Sequence, residues 1–321
     1  MRVIIMLSLR FIFLTLCLVL GISRLSWADG PAVSRDIITI PYEKTGGGLM
    51  LVSVTINKTT NARFLLDTGT NQCFLSDHLG DKLKLVRSPA VLKSGKPNLN
   101  NGVPYDKVQI VDMAMGSFHV NGDFGVIDRK QFDLEQNGAE GIIGVNVLMD
   151  KAVALYPVQH LLYIYVSGNL SADEATVAGF GPAAYRSLMV WDPASAIYRC
   201  PVTVAGPHGV SDYAPILDTG ADKTNISSDV ADTVGLVPFG VNQSTMFNRQ
   251  FSNSAAHVTS LKLGDLQVFN LPVNFTRVKP EPNRSLGMDV LGGYNVLMDF
   301  PASKLYLCLP SVAPTKQGAS R

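Results

Sequence analysis

Apolar residues in this chain fall into short blocks, often at every second position, and only one long run breaks that habit. Phe11–Ile22 is a stretch of 12 mostly apolar residues with Arg2 and Arg10 ahead of it. Beyond it, Met50–Ile56 and Tyr198–Val204 are rich in β-formers and partly alternate, which predicts strands. Val108–Met113, Leu161–Val166, Ser260–Leu263, Val268–Val273 and Lys304–Leu309 read the same way. Short helices are expected near residues 77 and 228, with Ser76 or Asp77 and Ser227 or Ser228 as candidate N-caps. The pattern predicts an all-β chain, mainly strands with short helices.

The N-terminal run has a different meaning. Positive charge, a short apolar run and then Ser26-Trp27-Ala28 make the layout of a secretory signal over residues 1–28, cleaved after Ala28. An uncleaved anchor is the competing reading, but the run is short of the roughly 20 residues a span needs. The expected location is therefore the periplasm or the exterior, with no membrane contact after cleavage. Leu16 before Cys17 is not small, which argues against a lipoprotein.

Length suggests about two domains. The net charge is +1 for the whole chain and −2 without the signal, which gives no electrostatic reason to expect nucleic acid as a partner. Cys73, Cys200 and Cys308 remain after cleavage. Export permits disulfides, and Cys200–Cys308 is the favoured pair, because both sit in predicted strands near the two ends of the second half. Three buried thiols are the alternative.

The chain repeats itself once. Phe64-Leu65-Leu66-Asp67-Thr68-Gly69-Thr70 returns 151 residues later as Pro215-Ile216-Leu217-Asp218-Thr219-Gly220-Ala221. Ser76, Asp81 and Leu85 return as Ser227, Asp232 and Leu236. Asn146–Asp150 returns as Asn295–Asp299, at an offset of 149. The same parts in the same order imply two homologous lobes. Boundaries are expected at 29–166 and 185–310, joined by a linker over 167–184 and followed by a disordered tail over 311–321.

An apolar strand ending in Asp-Thr-Gly leaves a carboxylate poorly solvated. It must be hydrogen-bonded or share a proton. Gly lets the chain turn and brings N–H groups near the carboxylate. Two such loops face to face would bring Asp67 and Asp218 together, and two carboxylates about 3 Å apart cannot both ionise. Thr70 follows the first loop and Ala221 the second, so a hydroxyl is available to Asp67 alone. Asp67 is then the member more often ionised, unless water or backbone donors level the pair.

At these residues the chain resembles the pepsin and retropepsin families of aspartic proteases, which carry hydrophobic-hydrophobic-Asp-Thr/Ser-Gly. Those families add a later hydrophobic-hydrophobic-Gly element that packs beneath the loop. Ile142-Ile143-Gly144 fits it in the first half. Val290-Leu291-Gly292 fits it in the second, with Gly293 an alternative if Asn295 sets the register. The resemblance covers roughly residues 36–310. It implies two acid-protease β-barrel lobes, a cleft between them, and Asp67 and Asp218 as the catalytic pair, with Thr68, Gly69, Thr70, Thr219, Gly220 and Ala221 supporting them. It also places a flap between loop and hydrophobic-Gly element. Arg87–Gly102 fits in position, with Ser94-Gly95-Lys96-Pro97 as a candidate tip, and Pro238–Ser252 is the second-half counterpart. Tyr105 lies near the first flap, as a cleft residue or an ordinary strand residue.

The expected activity is a monomeric aspartic endopeptidase acting on peptide or protein substrates. It needs no cofactor and no metal. His78, His119, His160, His208 and His257 are scattered without metal-ligand spacing. Ile37–Tyr42 already reads as a strand of the first lobe, so no pro-segment is expected. A catalytically inactive peptide-binding or scaffolding protein, and a processing enzyme with one dedicated substrate or a self-cleaving one, are the rival readings, since fold does not fix function.

Overall fold

A computed structural model describes residues 36–92, 94, 96, 99–100, 103–130, 133–246, 249–277 and 284–310. The expected signal over 1–28 and the expected tail over 311–321 lie outside the described residues. Within them the chain is mainly β, with a few helices of four to six residues. No helix among the described residues is long and apolar enough to cross a membrane.

Met50–Ile56 forms the strand its alternation predicts, with Ser53 exposed and Val52 and Val54 buried. It pairs antiparallel with Thr60–Asp67. That strand pairs parallel with Gly141–Gly144, which pairs antiparallel with Phe74–Ser76. Asp106–Met115 and Phe118–Ile127 complete the first half as a long hairpin. Tyr198–Val204, read as one strand, is two: Ile197–Arg199 and Val202–Gly206. Pro201 sits between them and has no N–H to give a ladder. Val268–Val273 is likewise split, because Asn270 adopts a positive φ of 51° between Leu266–Phe269 and Pro272–Phe275.

The predicted helices form, and in each the first of the two candidate caps is the one used. Ser76 accepts from the Leu79 N–H ahead of Asp77–Lys82, and Ser227 accepts from the Val230 N–H ahead of Ser228–Thr233.

The halves meet in a shared antiparallel sheet. Its strand order runs Tyr185–Leu188, Lys304–Cys308, Asn295–Asp299, Ala152–Tyr156, Leu161–Tyr165 and Ile37–Lys44. Ala152–Tyr156 from the first half pairs with Asn295–Asp299 from the second. Ala152–Tyr156 is buried at every position, because both faces of the sheet are covered. Val153, Leu155, Leu162 and Ile164 join the main core. Ala152, Ala154, Tyr156, Tyr163 and Tyr165 join a smaller core on the other face. Segment 167–184, expected as a linker, supplies that second core with Leu170, Ala175, Ala178, Phe180 and Ala184. It also holds the helix Ala172–Val177, closed at its start by a Ser171–Glu174 capping box.

Candidate active site

Each half carries an aspartate to the end of a buried strand. Phe64, Leu65 and Leu66 are buried and deliver Asp67; Ile216 and Leu217 are buried and deliver Asp218. In the first half the strand is clamped from the side by Gly141–Gly144, in the register Gly144 opposite Asp67. In the second half Ser285–Leu286 does this for Ile216–Leu217, and the Asp218 N–H donates to the Leu286 carbonyl at 3.1 Å.

The two loops lock together through their threonines. The Thr68 hydroxyl donates to the Leu217 carbonyl at 2.6 Å, and the Thr219 hydroxyl donates to the Leu66 carbonyl at 2.9 Å. Each hydroxyl oxygen also accepts from the opposite backbone N–H, Thr219 to Thr68 and Thr68 to Thr219, both at 3.1 Å. Both side chains are fully buried. These bonds sit in a low-dielectric seam where losing a partner is costly.

The glycines are required by close approach. A Cβ on Gly69 would lie 2.6 Å from the Asp218 carboxyl carbon, and one on Gly220 would lie 2.4 Å from that of Asp67. Each carboxyl therefore packs on the glycine of the opposite loop, which sets the two aspartates side by side.

Their environments differ. Asp67 accepts from the Gly69 N–H at 2.8 Å and from the Thr70 hydroxyl at 2.7 Å. Asp218 accepts from the Gly220 N–H at 2.9 Å, and Ala221 has no hydroxyl to offer. Burial pushes both carboxyls up from the ordinary range. The bonds from Thr70 and Gly69 pull Asp67 back down, whereas the nearby charge of Asp67 drives Asp218 further up.

Ile142, Ile143 and Gly144 pair with Leu65, Leu66 and Asp67. Val290, Leu291 and Gly292 do not occupy the matching place. Val290 and Leu291 are buried on the short helix Met288–Leu291, and Gly292 is its C-cap. The element beneath Asp218 is Ser285-Leu286-Gly287. The Met288 N–H donates to the Ala221 carbonyl at 2.8 Å, just as the Val145 N–H donates to the Thr70 carbonyl at 2.8 Å. A readable signal existed: Gly141-Ile-Ile-Gly-Val-Asn-Val-Leu148 aligns on Arg284-Ser-Leu-Gly-Met-Asp-Val-Leu291 when Gly144 is set on Gly287. The repeat of Asn146–Asp150 as Asn295–Asp299 pulled the register away. It is not a structural equivalence, since Val145–Val147 is a 3-10 turn and Asn295–Asp299 a strand.

Of the candidate flap tip, Gly95 and Pro97 lie outside the described residues, and Ser94 and Lys96 are exposed. The Leu92 N–H donates to the Lys96 carbonyl at 2.8 Å, closing a turn on one limb of the arm. Further out, Leu99–Asn100 pairs with Val103–Pro104. Tyr105 packs edge-on against Phe74 and donates its hydroxyl to Gln72 Oε1 at 3.0 Å, which ties it to the base of the arm. The second-half counterpart is a longer hairpin, Gly240–Met246 against Arg249–His257.

The Cys200–Cys308 pair is not made. Cys73, Cys200 and Cys308 are all free. Cys200 is buried in the main core, and Cys308 lies on the edge of the smaller one, so the shared sheet separates their surroundings. Burial pushes the Cys200 thiol up to about 12, which leaves it inert.

A family profile described as aspartyl protease matches residues 52–147 and 200–290, more than half of the chain. Both matched stretches contain one Asp-Thr-Gly loop. The chain belongs to the aspartyl protease family. Among solved structures it is similar to an aspartic proteinase from Irpex lacteus, at 15% identity and a TM-score of 0.47, over 88% of this chain and 99% of that one. A search of curated proteins returned no match.

Proposed function

We propose that this protein is an exported aspartic endopeptidase and that Asp67 and Asp218 act together on a single water. In this reading Asp67 is the ionised member and Asp218 holds the shared proton. Asp67 takes a proton from the water as its oxygen attacks the peptide carbonyl carbon. Asp218 gives its proton to the carbonyl oxygen, and a neutral gem-diol forms. Asp67 then protonates the departing nitrogen, Asp218 recovers its proton from a gem-diol hydroxyl, and the C–N bond breaks. Two carboxyls thus supply both acid and base, and protons balance over the cycle.

The observation that carries this reading is the pair itself: two carboxyls, one from each half, each packed on the glycine of the opposite loop and held by reciprocal threonine bonds. The one-sided hydroxyl of Thr70 supports the division of labour. Export rests on the N-terminal sequence alone.

The test is cleavage of a diverse peptide library by residues 29–321 from acid to neutral pH, beside Asp67→Asn and Asp218→Asn. Cleavage that disappears in both variants, and in the presence of a statine-type transition-state mimic, is the expected result. A folded chain that cuts nothing, or cutting that survives either substitution, overturns it.

A further inference from the structure

The two active-site loops rest on props of different chemistry. Cys73 and Thr224 occupy matching positions, six residues after each aspartate. Their partners also match: Asn146 and Asp289 each stand two residues beyond the glycine beneath the loop. In the first half the Cys73 thiol donates to Asn146 Oδ1 at 3.4 Å and accepts from the Gly144 N–H at 3.4 Å. In the second half Asp289 takes two bonds, from the Thr224 hydroxyl at 2.7 Å and from the Thr224 N–H at 2.9 Å. The Thr224 hydroxyl oxygen in turn accepts from the Gly287 N–H at 3.2 Å.

The second prop closes a tight circuit around Asp218. Thr224 ends the segment that begins at Asp218, and Gly287 follows the strand that clamps it. A Cβ on Gly287 would lie 2.7 Å from the Lys223 carbonyl and 2.9 Å from that of Ala221. The loop therefore lies flat on Gly287, and Asp289 pins its far end through two bonds from Thr224. Short bonds to an ionised carboxylate are stronger than those of a thiol to an amide. The Asp67 loop has the Thr70 hydroxyl to fix its aspartate; the Asp218 loop has none.

We propose that Asp289 is a positioning residue for Asp218: its carboxylate, through Thr224, takes the place of the orienting hydroxyl that the second loop lacks. The inference rests on the proposed role of Asp218, and it predicts that Asp289 and Thr224 work only as a matched pair. Asparagine at 289 can accept from the Thr224 N–H but must then offer N–H to the hydroxyl. That hydroxyl would lose its own acceptor. With cysteine at 224 the arrangement of the first half is restored. The charged and titratable groups facing Asp289 among the described residues are Lys223 and the buried Tyr213 hydroxyl, with Arg284 beside Tyr213. Burial raises the Asp289 carboxyl while both Thr224 bonds oppose the rise.

The experiment compares Asp289→Asn, Thr224→Cys and the double variant in residues 29–321. The readouts are kcat and KM on a cleaved peptide, the carbon-13 titration of the Asp67 and Asp218 carboxyls, and thermal melting. Expected are a tenfold or greater loss of kcat in Asp289→Asn with KM within twofold, a shifted dyad titration, and recovery to within threefold in the double variant. An Asp289→Asn protein with wild-type kcat and titration overturns the proposal, and so does a double variant no better than the single. Should Asp289→Asn not fold, a folded and active double variant supports the pairing, while an inactive or unfolded one overturns it. The titration needs no turnover. If the parent chain cuts nothing, the protease reading fails, yet an unmoved dyad titration in Asp289→Asn still refutes the positioning role and a shifted one still supports it.

Discussion

Removing the Thr70 hydroxyl tests the asymmetry of the pair most directly. The hydroxyl donates to Asp67 at 2.7 Å and stabilises its ionised form. A hydrogen bond to a charged group contributes roughly 1.5–3 kcal/mol, and one pKa unit corresponds to about 1.36 kcal/mol. Asp67 is mostly but not fully buried, so water replaces part of the loss. An upward shift of about one unit in the proton affinity of Asp67 remains. The proposed mechanism needs Asp67 ionised, so the acid limb of kcat/KM against pH should move up by about one unit in Thr70→Ala. The mirror experiment is Ala221→Ser, which offers Asp218 a new donor. Favouring the ionised form lowers the pH at which Asp218 releases its proton, so the basic limb should move down and the active window should narrow. Both limbs report the coupled pair, so the comparison is between whole profiles of the three proteins. Profiles that superimpose, with all three proteins folded, would refute the assignment of roles.

Three other outcomes follow from the same geometry. Asp218 binds its proton more tightly folded than unfolded, so its contribution to stability is full below the unfolded pKa and fades as pH rises through the folded value. Asp218→Asn should therefore melt higher than the parent at pH 8, by a margin that shrinks by pH 4, as followed by circular dichroism. Thr219→Val removes the donor to the Leu66 carbonyl and the acceptor for the Thr68 N–H, both buried. The expected cost is about 2–4 kcal/mol in denaturant unfolding, with loss of peptide cleavage. Finally, thiol titration of residues 29–321 in denaturant without reductant should count three free thiols, and one thiol would restore the disulfide.

What the sequence made legible was whatever local pattern or repetition could carry. Alternation marked Met50–Ile56, and the doubled Asp-Thr-Gly placed Asp67 and Asp218 on facing loops. The hydroxyl of Thr70 was visible because position 221 offered a direct contrast. The element beneath Asp218 was misread because Ser285 breaks the hydrophobic-hydrophobic-Gly pattern, while Val290-Leu291-Gly292 imitates it. Only the parallel pairing of Ser285–Leu286 with Ile216–Leu217 decides between them, and that contact spans about 70 residues of chain. The disulfide was misread for a related reason. A place in strands near the two ends of the second half says nothing about which side of a sheet a thiol faces. Residues 167–184 looked like a connector because their apolar side chains are few and mostly small. Phe180 and the alanines nonetheless fit against the tyrosines of the shared sheet.

On the proposed mechanism, the crossed threonines make the paired loops a checkpoint in the life of the chain. Thr68 finds its carbonyl partner only on Leu217, and Thr219 only on Leu66. Neither half can complete its own loop. A nascent or partly unfolded chain with one half in order would hold a lone, misoriented aspartate and could not cut its neighbours. Hydrolytic competence would then appear at the last docking event and vanish at the first separation. Regained activity in a refolding experiment would time that docking event.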